Sequence, residues 1–154
     1  ANRAAPGCTK AWVTAELKKL RSAMEPVFSC ETVFGTCTTV PSAGHCFMAA
    51  LAIQDILGGE ILHGVVAQVP HYWNRVGRWE VDLTGDQFGQ AKVQVKEGNL
   101  RNKDRAVYPR KRYAGLGKIN AAPTKIYRKF RERLVKELSE LGLTEYIGHL
   151  ERMR

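Results

Sequence analysis

At 154 residues, with 44% apolar and 25% charged positions, the chain has the size and composition of one ordinary globular domain, which excludes a mainly disordered protein. Its longest near-apolar stretches, Phe47–Ile53 and Ile61–Val66, fall far short of the roughly 20 residues that span a bilayer, and no apolar signal region follows Arg3. Neither membrane insertion nor export is expected, and the cytoplasm is the expected compartment. The net charge of +9 is unevenly spread: residues 1–97 hold nine basic and nine acidic side chains, 98–118 hold seven against one, and 119–154 hold eight against five. This describes a neutral body with a basic C-terminal third. Four cysteines, Cys8, Cys30, Cys37 and Cys46, are too few for a disulfide scaffold and match no common zinc spacing, so reduced thiols and no metal or cofactor are expected.

In chain order, Trp12–Met24 reads as a helix, with Trp12, Ala15, Leu17, Leu20 and Met24 near helical spacing and Pro26 ending it. Residues 29–41, rich in Thr, Ser, Cys and Gly, predict a loop. A buried helix over His45–Leu57 follows, polar only at Gln54 and Asp55 and stopped by Gly58-Gly59. Ile61–Val69, His71–Arg75 and Arg78–Leu83 read as strands, the last two joined by a turn at Asn74-Arg-Val-Gly77. Residues 98–118 have little periodicity and predict an exposed basic loop that contributes little to folding. Pro123 suits the first turn of a helix running to Leu141, its stripe made of Ile126, Phe130, Leu134, Val135, Leu138 and Leu141. Gly142 ends it, and a short helix completes a C-terminal helical segment over about 123–152. Helices, strands, then helices predict a single α+β domain.

The chemistry gathers in Gly44-His-Cys46, His71-Tyr-Trp-Asn74 and Trp79-Glu-Val-Asp82-Leu-Thr84. Cys46 stands in the first turn of an apolar helix, where the helix dipole favours a thiolate and free N–H groups can hold an oxyanion. His71 begins a strand, and Asp82 lies in the partner strand of a short hairpin, within reach across it. Nucleophile, base and orienting carboxylate match the logic of a catalytic triad. His45 adjoins Cys46 but points about 100° away on the helix, which makes it a pocket residue rather than a base. Trp73 and Trp79 are further candidates for flanking a substrate groove, and His63 reads as a core histidine.

Helix Cys, His-x-Trp and Trp-x-x-Asp-x-Thr together resemble the core of the papain-like and transglutaminase-like cysteine hydrolases. Pro41-Ser-Ala-Gly-His-Cys46, Asp55-Ile-Leu-Gly-Gly-Glu60, His71-Tyr-Trp-Asn74 and Asp82-Leu-Thr-Gly-Asp-Gln-Phe88 resemble the bacterial and phage YunG-like family over residues 29–89. The resemblance implies a papain-like fold, with Cys46 as nucleophile, His71 as general base and acid, and Asp82 as orienter of His71. Asn74 is the alternative orienter. No glutamine stands shortly before Cys46 to donate to an oxyanion, leaving that role to the Cys46 N–H and to residues 42–45.

These readings predict a cysteine-dependent hydrolase or acyltransferase acting on an amide, isopeptide or thioester bond of a protein or peptide-like substrate. The competing expectation is a non-catalytic or regulatory binding protein of the same fold that holds nucleic acid or an acidic protein partner through Arg101, Lys103, Arg105, Arg110, Lys111 and Arg112.

Overall fold

Thr9 starts the first helix: its hydroxyl accepts a hydrogen bond from the Trp12 N–H at 3.1 Å, satisfying one of the orphan donors of the first turn. The computed structural model describes residues 8–29, 45–98, 105–110 and 122–151. Helix α1 spans Lys10–Met24 and buries Val13, Leu17, Leu20 and Met24, at spacings of three and four residues. Trp12, expected in that stripe, is 37% exposed, and Val13 takes its place. Pro26 sits inside a short 3-10 turn, Glu25–Val27. Helix α2, Cys46–Leu57, starts after His45, which occupies the N-cap position without a side-chain cap, and buries most of its length. The expected loop at 29–41 lies, apart from Ser29, outside the described residues.

Gly59 follows α2 at φ +78°, and a Cβ there would stand 2.1 Å from the Arg75 carbonyl oxygen, so only glycine lets the chain turn this closely into the sheet. Strands β1 (Glu60–Val66), β2 (Val69–Val76) and β3 (Trp79–Asp82) form two tight hairpins. Their turns differ from expectation. The first falls at Ala67-Gln68, at φ +49° and +66°, where a strand through Val69 was expected. This is the left-handed geometry two-residue hairpins demand, adopted here by residues that give no turn signal. The second closes at Gly77-Arg78 between the paired Val76 and Trp79, so Asn74 belongs to the strand and not to the turn.

Two further strands extend the sheet, β4 (Gln94–Glu97) beside β3 and β5 (Arg105–Val107) beside β1, giving the antiparallel order β4-β3-β2-β1-β5. The second lies within the segment expected to be an exposed basic loop, and this corrects that reading. Arg105 is ion-paired with Glu80 at 2.6 Å, both side chains buried. Arg110 pairs with the buried Asp55, donating from Nη2 to Oδ2 at 3.1 Å. Both guanidiniums are thus engaged by carboxylates of the chain, Arg105 buried and Arg110 with 26% of its side chain exposed. Arg101, Lys103, Lys111 and Arg112 lie outside the described residues.

Helix α3 (Ala122–Glu140) and the short α4 (Ile147–Glu151) complete the described chain, which is α+β with four helices and a five-stranded sheet among the described residues. Tyr127, Phe130, Leu134 and Leu138 of α3 are buried; Leu141, expected in the stripe, is exposed beyond the helix end. The helices pool their apolar faces with Ile61, Val76, Trp79 and Val81 of the sheet in one core. Asn74, on the same sheet face, donates to the Ala50 carbonyl of α2 at 2.9 Å and fixes strand to helix. At the far end of α2, Asp55 also accepts from the Tyr127 hydroxyl at 2.5 Å, joining α2, α3 and the exit of β5. Leaving that carboxylate without its cation is costly inside the protein, so Arg110→Ala should lower the unfolding free energy by about 2–3 kcal/mol. Lys92→Ala, which opens an exposed pair with Glu25, should cost below about 0.5 kcal/mol. Urea denaturation of the two variants provides the comparison.

Candidate active site

Side chains alternate across a strand, so the register places Leu62 and Gly64 of β1, His71 and Trp73 of β2, and Glu80 and Asp82 of β3 on the face opposite Asn74, Val76 and Val81. There the Asp82 carboxylate engages on both oxygens. Oδ2 lies 2.7 Å from His71 Nε2, and Oδ1 accepts from the Thr84 backbone N–H at 2.9 Å and the Thr84 hydroxyl at 3.2 Å. The segment after β3 is held in turn by Arg21 of α1. Its guanidinium donates to the Leu83 carbonyl at 2.5 Å and to both carboxylate oxygens of Asp86, at 2.9 and 3.1 Å. A buried, bidentate arginine thus fixes the loop that aims Asp82.

The His71 ring is 2% exposed and enclosed by three contacts. Asp82 takes Nε2, the Trp73 indole stacks at 5.7 Å between ring centres, and Phe88 meets the ring edge-on at 4.9 Å. The Cys46 thiol is a further neighbour, close enough to act electrostatically on the ring. Nδ1, the nitrogen not engaged by Asp82, is buried without an aligned hydrogen bond. Burial opposes the charged ring, but hydrogen bonds to Asp82 and Cys46, with the charges of both, outweigh it and raise the pKa from 6.5 to about 9. Burial and the Cys46 charge also push the Tyr72 phenol up.

The structure therefore brings Cys46, His71 and Asp82 together. The other sequence candidates are placed differently. His45 is buried, its ring 4.7 Å from that of Phe28 and 6.3 Å from that of Phe130. Trp79 is buried in the core and donates to the Cys8 carbonyl at 3.2 Å. Asn74 faces α2 and does not orient His71; the carboxylate does. Trp73 is the one of the four that borders the site, lining a cavity of about 190 Å³ with His71, Glu80, Asp82, Gln90 and Lys96. Sequence reasoning missed Arg21, Glu80, Asp86 and Phe88. Glu80 stands two residues from Asp82 and shares its strand face, a signal already present in the alternation; Arg21 and Asp86 lie 65 residues apart and carry none.

Residues 16–122, more than half of the chain, match the model of the YunG protein family. The chain belongs to the YunG family. YunG of Bacillus subtilis (strain 168) is 38% identical over 56 residues, a stretch covering 36% of this chain and 48% of that protein, so the likeness spans about half of the relative's length. No solved structure matches. Among the described residues, no helix is long and apolar enough to cross a membrane.

The raised pKa of His71 ties folding to pH. A ring that holds its proton more tightly when folded adds stability in full below the ordinary pKa of 6.5, and that stability is lost as pH rises through about 9. The His71 ring should titrate near pH 9 by NMR, and Asp82→Asn should lower that midpoint by about 1–3 units. The loss of unfolding free energy between these pH values should be smaller in Asp82→Asn than in the unaltered protein.

Proposed function

We propose that this protein is a cysteine-dependent hydrolase or acyltransferase, with a papain-like or transglutaminase-like core, that acts on an amide, isopeptide or thioester bond. One observation carries the reading: a buried imidazole held by a carboxylate on Nε2 stands against a thiol in the first turn of an apolar helix. That order of groups supports nucleophilic acyl transfer.

In this mechanism the Cys46 sulfur attacks the substrate carbonyl carbon, forming the C–S bond while the carbonyl oxygen takes the negative charge. The first N–H groups of α2 face that oxygen. His45, at the cap position, supplies no side-chain acceptor to them, which supports their use as oxyanion donors. The His71 imidazolium then gives its proton to the leaving amine or thiol as the bond to the carbonyl carbon breaks. Water or an acceptor amine attacks the thioacyl group, losing its proton to His71, and the C–S bond breaks to release Cys46. Asp82 holds the ring orientation and stabilises the imidazolium throughout.

The cytoplasm and a protein or peptide-like substrate belong to the same proposal. A polyanion-binding role has less support, because Arg105 and Arg110 are committed to Glu80 and Asp55.

Alkylation by iodoacetamide at neutral pH, read by peptide mass spectrometry, should label Cys46 at least about tenfold faster than Cys8, whose thiol is pushed up by burial. His71→Ala should slow labelling of Cys46 alone. A panel of thioester and activated-amide substrates should be turned over by the unaltered protein and not by Cys46→Ser. Equal labelling of the two thiols in folded protein, with turnover unaffected by Cys46→Ser, would overturn the assignment.

A further inference from the structure

Trp73, Glu80 and Arg105 take no part in the acyl-transfer steps, yet they form a hydrogen-bonded chain ending on the histidine, its ion pair buried. The Trp73 indole N–H donates to Glu80 Oε1 at 3.0 Å. Arg105 Nε lies 2.6 Å from the same oxygen, and its Nη2 donates to Oε2 at 3.1 Å. The side chains of Arg105 and Glu80 are 6% and 4% exposed. Arg105 belongs to β5 and Glu80 to β3, with β1 and β2 between them, so the pair reaches over two strands. On β1 the register position paired with both Arg105 and His71 is Gly64, which places no side chain in that path.

A buried ion pair is a poor source of stability, since desolvation consumes most of its attraction and apolar residues of equal volume commonly serve as well. What this pair does provide is a fixed, charged acceptor for one indole N–H. Held there, the indole presents its flat face to the His71 ring, with an interplanar angle of 19°, while Phe88 stands at 87° to the same ring.

We propose that Arg105, Glu80 and Trp73 form a positioning relay for His71, in which the ion pair locks the indole and the indole locks the imidazole in the orientation that serves Cys46. The relay rests on the proposed acyl-transfer reading for its purpose and on the stacked geometry for its existence. All three are positioning residues, none touching the reacting atoms. The indole face also favours the charged ring through a cation–π contact. The titratable groups around His71 are Asp82 in hydrogen-bond contact, Cys46 close enough to act on the ring, Tyr72 beside it in the strand, and Glu80 and Lys96 lining the same cavity.

The test uses the full chain and three variants: Trp73→Leu, Trp73→Phe, and the double variant Glu80→Leu with Arg105→Leu, which replaces the pair by apolar volume. Each is read by thermal unfolding, by NMR titration of the His71 ring and by the pH profile of Cys46 alkylation. Trp73→Leu should lower the His71 midpoint by about half a unit and slow Cys46 alkylation several-fold, with Trp73→Phe restoring much of the midpoint. The folded double variant should slow alkylation while Trp73 is still present. Wild-type midpoints and alkylation profiles in folded Trp73→Leu and in the double variant would overturn the relay. If Cys46 of the unaltered protein reacts no faster than Cys8, the acyl-transfer reading fails. The His71 midpoint and ring chemical shifts in the variants then decide the relay separately.

Discussion

The site depends on one carboxylate. Asp82 spends one oxygen on Thr84 and the other on His71, so the segment that ends β3 and a ring near the start of β2 are fixed by the same group. A buried imidazole would ordinarily shed its proton. Here the carboxylate and the thiol reverse that preference, and a histidine that is almost wholly enclosed holds its charge past neutrality. Everything around it serves to keep that short contact: Arg21 anchors the loop beyond Asp82, Asn74 ties β2 to α2, and Gly59 lets the chain pass from α2 directly into the sheet.

Charge burial follows a consistent rule in this molecule. Arg21 meets Asp86, Arg105 meets Glu80, and Arg110 meets Asp55, each guanidinium reaching a carboxylate far away in sequence. Each pair joins different elements: α1 to the turn after β3, β5 to β3, and the exit of β5 to α2. A guanidinium suits this work because its planar fork satisfies two carboxylate oxygens at once and is more weakly hydrated than an ammonium. The excess of positive charge in the C-terminal third is thus partly structural. Arg105 and Arg110 compensate acids that the neutral body would otherwise leave buried and unpaired.

The secondary structure was legible where periodicity was strong. The apolar run of α2, the stripe of α3 and the β-branched run of β1 all announced themselves, because each buries a continuous face against one core. Strand β5 did not. Its three residues hold hydrogen-bond partners through β1 and are surrounded by charge, so no local pattern separates them from a loop. The turn at Ala67-Gln68 was equally silent, since neither residue favours positive φ and the hairpin imposes it. Trp12 and Trp79 show the converse: an aromatic residue in a pattern says that something is packed, not on which side.

The sequence by itself determined that a cysteine would open a buried helix, and that a histidine and an aspartate would stand on neighbouring strands of a hairpin, within reach of one another. Helix caps, strand alternation and short turns are local, and they act within a few residues. Only the tertiary structure decided which neighbours those groups would have. Choosing Asp82 over Asn74 as the partner of His71 turned on one strand face against the other, set by a register that a single-residue change in the turn would invert. Turning Arg105 and Arg110 inward required buried acids from elements remote in sequence, because whether a charge meets solvent or a carboxylate depends on where the chain folds and not on its own composition.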